Sequence, residues 1–145
     1  MSTNDPDVTE LWQEVLAWIK VARADQRAAT LCVQSDPPLH DVAAFHCQQA
    51  AEKLLKAFLV RANQDFGKTH DLAKLGYLVT MQFPSITPLV TAMQDWTAWS
   101  VAYRYPGEAG PEPEPSAEEL SRAPDLIARL ESALRSLAPN HNHAP

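Results

Sequence analysis

Glycine is scarce in this chain, with four among 145 residues. That leaves no Gly-rich loop to wrap backbone amides around phosphates, and with it goes the usual mark of a kinase or P-loop nucleotidase. Cysteine is scarcer still. Cys32 and Cys47 are too few and too far apart for a disulfide scaffold or a zinc site. No stretch approaches the roughly 18 to 20 uninterrupted apolar residues of a membrane span. The opening MSTNDPDVTE is acidic and lacks an apolar run, so it does not read as a signal peptide. A reducing cytoplasm is the expected setting. Strand-like alternation and internal repeats are missing as well, and no nucleophile elbow or metal motif appears, so no cofactor is called for.

What is present suits one helical domain. Hydrophobic residues make up 46% of the chain, which excludes wholesale disorder. The net charge of −6 argues against loose, charge-driven binding of nucleic acid or anionic membrane. The sign is uneven, however. Bases outnumber acids between Lys53 and Lys74, whereas acids dominate after Tyr105.

The stretch from Leu39 to His70 organises the rest. From Asp41 to Ala62 it has neither Gly nor Pro, and Cys47, Ala50, Ala51, Leu54, Phe58 and Leu59 recur at helical spacing. His46, Gln49, Lys53 and Lys56 form a second, polar stripe at the same spacing. Such a stripe can hold phosphate oxygens, line a polar dimer surface, or face solvent with Glu52 and Lys56 as a four-apart ion pair.

Around this helix the spacing predicts four more. The first runs from about Val8 to Val33 with Leu11, Val15, Trp18, Ala22 and Ala29 on its core stripe. Asp25 falls on that stripe and must be paired, at an edge, or orienting a base, because burying a lone carboxylate is costly. Ser35-Asp36-Pro37-Pro38 ends it. Thr69 is the expected cap of a third helix carrying Leu72, Leu75 and Val79. Thr87 and Pro88 open a fourth that carries Leu89, Met93, Trp96, Ser100 and Tyr103 as far as Pro106. Trp96 and Trp99 are expected to serve packing or a dimer surface. Glu108 to Pro115 reads as an acidic, Pro-rich connector. Ser116 and Glu119 make a capping box for the last helix, which Pro124 should kink or restart.

The pieces AAFHCQQAAEKLLKAFL, KTHDLAKL and YRYPG, in that order, resemble the HEPN family of small helical-bundle domains. The resemblance implies an all-α up-and-down bundle of about five helices, usually dimeric. Such domains often stand beside a minimal nucleotidyltransferase as a toxin–antitoxin or nucleotide-binding pair. It also implies, for many relatives, metal-independent ribonuclease chemistry by an Arg, four to six arbitrary residues, then a His. After Arg104, positions 109 to 111 read Ala109, Gly110 and Pro111, and eight residues separate Arg61 from His70. The sequence is therefore read as lacking that motif.

The reading that results is a single domain over residues 1–139 with a disordered tail at 140–145. His46, Gln49, Lys53, Lys56 and Arg104 are its candidate ligand-binding residues for a nucleotide or RNA. Arg104 and His46 are the candidate catalytic residues of an alternative, a degenerate or atypical metal-independent ribonuclease. A purely structural dimerisation subunit is the third reading. His70, at a helix start, and the tail residues His141 and His143 are read as having no catalytic or metal role.

Overall fold

The computed structural model describes residues 6–99 and 115–140, and among them every regular element is helical. These are α1 (Val8–Gln34), α2 (His40–Arg61), α3 (Leu72–Gln82), α4 (Thr87–Met93) and α5 (Ala117–Arg135), with 3₁₀ turns at Pro84–Ile86 and Gln94–Trp96 and α-helix again at 97–99. The all-α bundle expected from the sequence is the fold observed.

α1 and α2 form an antiparallel hairpin, joined by five residues and closed by Leu39 N donating to the Cys32 carbonyl at 2.9 Å. α2 is the centre of the bundle, touching α1, α3 and α5. Fourteen of its 22 residues are buried, against six of 27 in α1, so α2 has little free face. The core gathers Leu54, Leu55, Phe58 and Leu59 of α2 against Val15 and Ile19 of α1, Leu72 and Leu75 of α3, and Ile127, Leu130 and Leu134 of α5.

Several local expectations are corrected. The core stripe of α1 keeps Val15, Ala22, Asp25 and Ala29 buried as expected, but Trp12 and Ile19 are buried in place of Leu11 and Trp18, which only flank the core. Asp71, not Thr69, caps α3, accepting from Ala73 N at 2.9 Å; Thr69 Oγ1 instead accepts from Asp71 N. Thr87 is the first residue of α4 rather than its cap, and its hydroxyl donates back to the Pro84 carbonyl. α4 also gives way to the 3₁₀ turn at Gln94, although Met93, Trp96 and Trp99 remain buried and the two tryptophans stack at 5.0 Å. α5 runs on through Pro124 without restarting. Its cap is as expected, with Ser116 Oγ accepting from Glu119 N at 3.0 Å. Asn63, just past α2, has φ 54° and Gly67 has φ 67°, both in the left-handed region that closes a helix. The connector as far as Glu114, the end of the fourth predicted helix, Arg104 and the tail from His141 lie outside the described residues.

Two contacts tie the last helix to the hairpin. Glu131 accepts from Arg23 of α1 at 2.8 and 3.1 Å and from Arg135 at 3.0 Å. The Arg23 hydrogen bond is the main reason its carboxyl titrates below the ordinary value. Arg61 Nε, at the end of α2, donates to the Leu137 carbonyl at 2.8 Å.

Two helices meet closely at Gly76 of α3, where an added Cβ would overlap Val90 Cγ1 of α4. Gly76→Ala is expected to lower stability by about 1–2 kcal/mol, the cost of overpacking less the helix-propensity gain. Adding Val90→Ala should recover most of the strain term. A denaturant-unfolding cycle in which the two changes simply add would refute this steric account.

Candidate functional site

The polar stripe of α2 lies along its seam with α1 and divides into two carboxylate-centred clusters. In the first, Asp25 of α1 is buried at 8% exposure between two residues of α2 that lie two turns apart. Its Oδ1 accepts from His46 Nδ1 at 2.9 Å, and its Oδ2 accepts from Lys53 Nζ. A carboxylate only accepts, so His46 carries its hydrogen on Nδ1 and leaves Nε2 unused by this contact. The expectation that Asp25 must be paired is met by a Lys and a His together. His46 and Lys53, whose Cα atoms are roughly 10 Å apart along the helix, therefore lean towards one point. They are partly exposed, at 27% and 20% of their side chains.

The second cluster is deeper. Glu52 accepts from Lys56 Nζ at 3.3 Å and from His70 Nδ1 at 3.2 Å, and Gln48 Nε2 approaches it at 3.4 Å. Gln49 donates to Gln48 Oε1 at 2.7 Å. The Glu52–Lys56 pair, a solvated surface pair on one reading of the sequence, has side chains only 4% and 9% exposed. Lys56 is roofed by aromatic rings, its Nζ lying 6.0 Å from the Trp18 centroid and 5.8 Å from that of Phe66. This is a cation–π arrangement that partly replaces lost water. Lys56 is thus withdrawn from any ligand, and His70, 73% exposed, covers the edge of Glu52.

Of the predicted ligand residues, the structure brings His46, Gln49 and Lys53 to one partly open strip. Lys56 faces inward, and Arg104 lies outside the described residues. Because each lysine is matched by a carboxylate, the strip offers hydrogen-bond donors with little net positive charge. Among the described residues no group of His, Cys, Asp or Glu is placed to hold a metal ion. Nor is any helix long and apolar enough to cross a membrane.

The HEPN domain family model matches residues 15–136, most of the chain. The chain belongs to the HEPN family. It is therefore a HEPN-type module, related to nucleotide and RNA function. No curated protein and no solved structure matches it.

Two relationships between residues escaped the sequence reading. Asp25 was singled out, but nothing in the sequence says that it serves both His46 and Lys53. The Arg–His spacing read as absent does occur once: five residues separate Arg135 from His141. Arg135 is in the last turn of α5 with its Nε on Glu131, and His141 lies outside the described residues. Glu131 also binds Arg23, and Arg23 and Asp25, two residues apart, point to opposite sides of α1. The Arg135 end of the bundle is thus separate from the His46 strip.

Proposed function

We propose that this HEPN protein is a non-catalytic binding module for a nucleotide or short RNA, working as a homodimer beside a nucleotidyltransferase-type partner as one half of a toxin–antitoxin or nucleotidyltransferase pair. The observation that carries the reading is the buried Asp25, which holds the partly exposed His46 and Lys53 on one strip with Gln49 between them. Lys53 has N–H groups beyond the one given to Asp25, and His46 keeps Nε2. A phosphate and a base or ribose are recognised by such converging donors. Low net charge at the strip makes binding depend on geometry more than on bulk attraction.

Titration calorimetry with a nucleotide panel and short RNA tests this. Lys53→Gln keeps a partner for Asp25 while removing the cation, and is expected to weaken binding about tenfold, the loss of one charge-assisted contact. No binding by the wild type at millimolar ligand would leave the structural-subunit reading in its place. Sedimentation should show a twofold dimer at micromolar concentration; a monomer throughout would remove the homodimer.

A ribonuclease is the second reading, favoured by the Asp25–His46 pair, which resembles an oriented general base, and by the Arg135–His141 spacing. The expected result is no robust metal-independent RNA cleavage, since Arg135 is engaged by Glu131 on the far side of α1 from His46. Cleavage lost in His46→Ala and Arg104→Ala would establish an enzyme at the α2 strip. Cleavage lost in Arg135→Ala and His141→Ala would place it at the chain's end.

A further inference from the structure

A second site lies away from the α2 strip, between the start of α5 and the hairpin. α5 packs on α2 and α4, and the Arg23–Glu131 ion pair ties it to α1. Nearer the start of α5 each of the three helices contributes a short side chain: Ala29 on α1, Cys47 on α2 and Ala117 on α5. Small residues where three helices meet leave a gap that no neighbour fills. The result is a cavity of about 300 Å³. Ala29, Cys47, Leu120 and Ile127, all buried, form its inner wall, and Thr30, Gln34 and Ser121 stand exposed at its rim.

Volume and charge together give the cavity a chemical preference. It has about twice the roughly 150 Å³ in which an apolar protein cavity takes up benzene, so a whole small molecule fits. Apolar walls favour a ligand that covers them with apolar surface. The chain carries 12 Lys and Arg and 18 Asp and Glu, yet none of these lines the cavity. The ionisable groups on its wall are the His40 imidazole and the Cys47 thiol, and burial pushes that thiol up to about 12, which keeps it neutral. A charged ligand group drawn inside would lose its water with no carboxylate, ammonium or guanidinium to meet it. An uncharged hydroxyl or amide escapes that cost, because the hydroxyls of Thr30 and Ser121 and the amide of Gln34 can each donate or accept one hydrogen bond.

We infer that this cavity is a binding site for a small uncharged molecule, mostly apolar and carrying one hydrogen-bonding group, with its apolar body against Ala29, Leu120 and Ile127 and its polar group at the rim by Thr30 and Ser121. The inference is independent of nucleotide binding at the α2 strip, and neither fails with the other.

Amide shifts of the ¹⁵N-labelled full chain, titrated with phenethyl alcohol, phenylacetate and phenethylamine, compare one apolar body in neutral, anionic and cationic form. The alcohol should bind with millimolar or tighter affinity, the range for so small a ligand, and move the amides of Ala29, Cys47, Leu120 and Ile127. Both ions should bind at least tenfold more weakly. Thr30→Trp, a change at an exposed position, should cut the alcohol's affinity at least tenfold by closing the mouth. Ala29→Leu should do the same from inside while leaving the melting temperature equal or higher, because the added carbons occupy empty space. Should that variant fail to fold, Thr30→Trp decides alone. Either ion binding within tenfold of the alcohol, shifts confined to other parts of the chain, no shifts at the alcohol's solubility limit, or an affinity within tenfold of the wild type in Thr30→Trp would each overturn the inference.

Discussion

Glu52→Ala is expected to lower stability by about 3–5 kcal/mol, the cost of leaving a buried partner charge uncompensated. Lys56 has only 9% of its side chain exposed, and its neighbours Trp18 and Phe66 offer ring faces but no acceptor. Gln48, fully buried, loses the acceptor for its Nε2 in the same change. For a chain of this size the melting temperature should fall by on the order of 10 °C. The pair need not be a net stabiliser, however. Glu52→Leu with Lys56→Met replaces both charges by apolar groups and should recover most of the loss, since only Gln48 is then left short. His70→Ala should cost little, because its exposed ring exchanges Glu52 for water. A double variant as unstable as Glu52→Ala alone would show that the loss comes from something other than an orphaned Lys56.

Asp25→Ala should have the next largest effect, about 2–3 kcal/mol or roughly 5–10 °C. Two charge-assisted hydrogen bonds disappear, but Lys53 and His46 are open enough to turn to water, so the loss stays below that of Glu52. The reverse change, Lys53→Ala, leaves the buried carboxylate with His46 alone, so the strip is not the freely editable surface that its spacing suggests. Asp25→Asn separates position from charge. Asparagine can still accept from His46, so this variant should retain most of the stability while holding Lys53 less firmly. Thermal unfolding orders the three; Asp25→Ala as stable as the wild type would mean that the seam contributes nothing.

α2 was legible in the sequence because it has no Gly or Pro and its apolar residues hold one helical register throughout. α1 was legible as a helix, and its facing at Val15, Ala22 and Ala29 was too, but the burial of Trp12 and Ile19 was not. Ala17, Val21, Ala24 and Leu31 lie exposed on its outer side, so apolar residues occur all round and more than one stripe satisfies the period. The break in α4 at Gln94 was hidden because Met93 and Trp96 suit a 3₁₀ turn as well as an α-helix. At the site, the polar stripe was read correctly as a stripe, but its division was not. Whether a four-apart Glu–Lys pair is wet or buried is decided by Trp18 and Phe66, which lie 38 residues before and 10 after Lys56. Local spacing carries no trace of such partners.

The crowding of α2 has a consequence for how this sequence can drift. One side of that helix is core and another is a charge-matched seam, so a random replacement there meets packed atoms or an orphaned partner. α1, with most of its residues outside the core, can be rewritten along its outer side at small cost. Descendants of this chain selected only for folding would come to share little except the segment from His40 to Arg61. Kinship detected at long range would then rest on a few helical turns, and a search weighted evenly along the chain would dilute them.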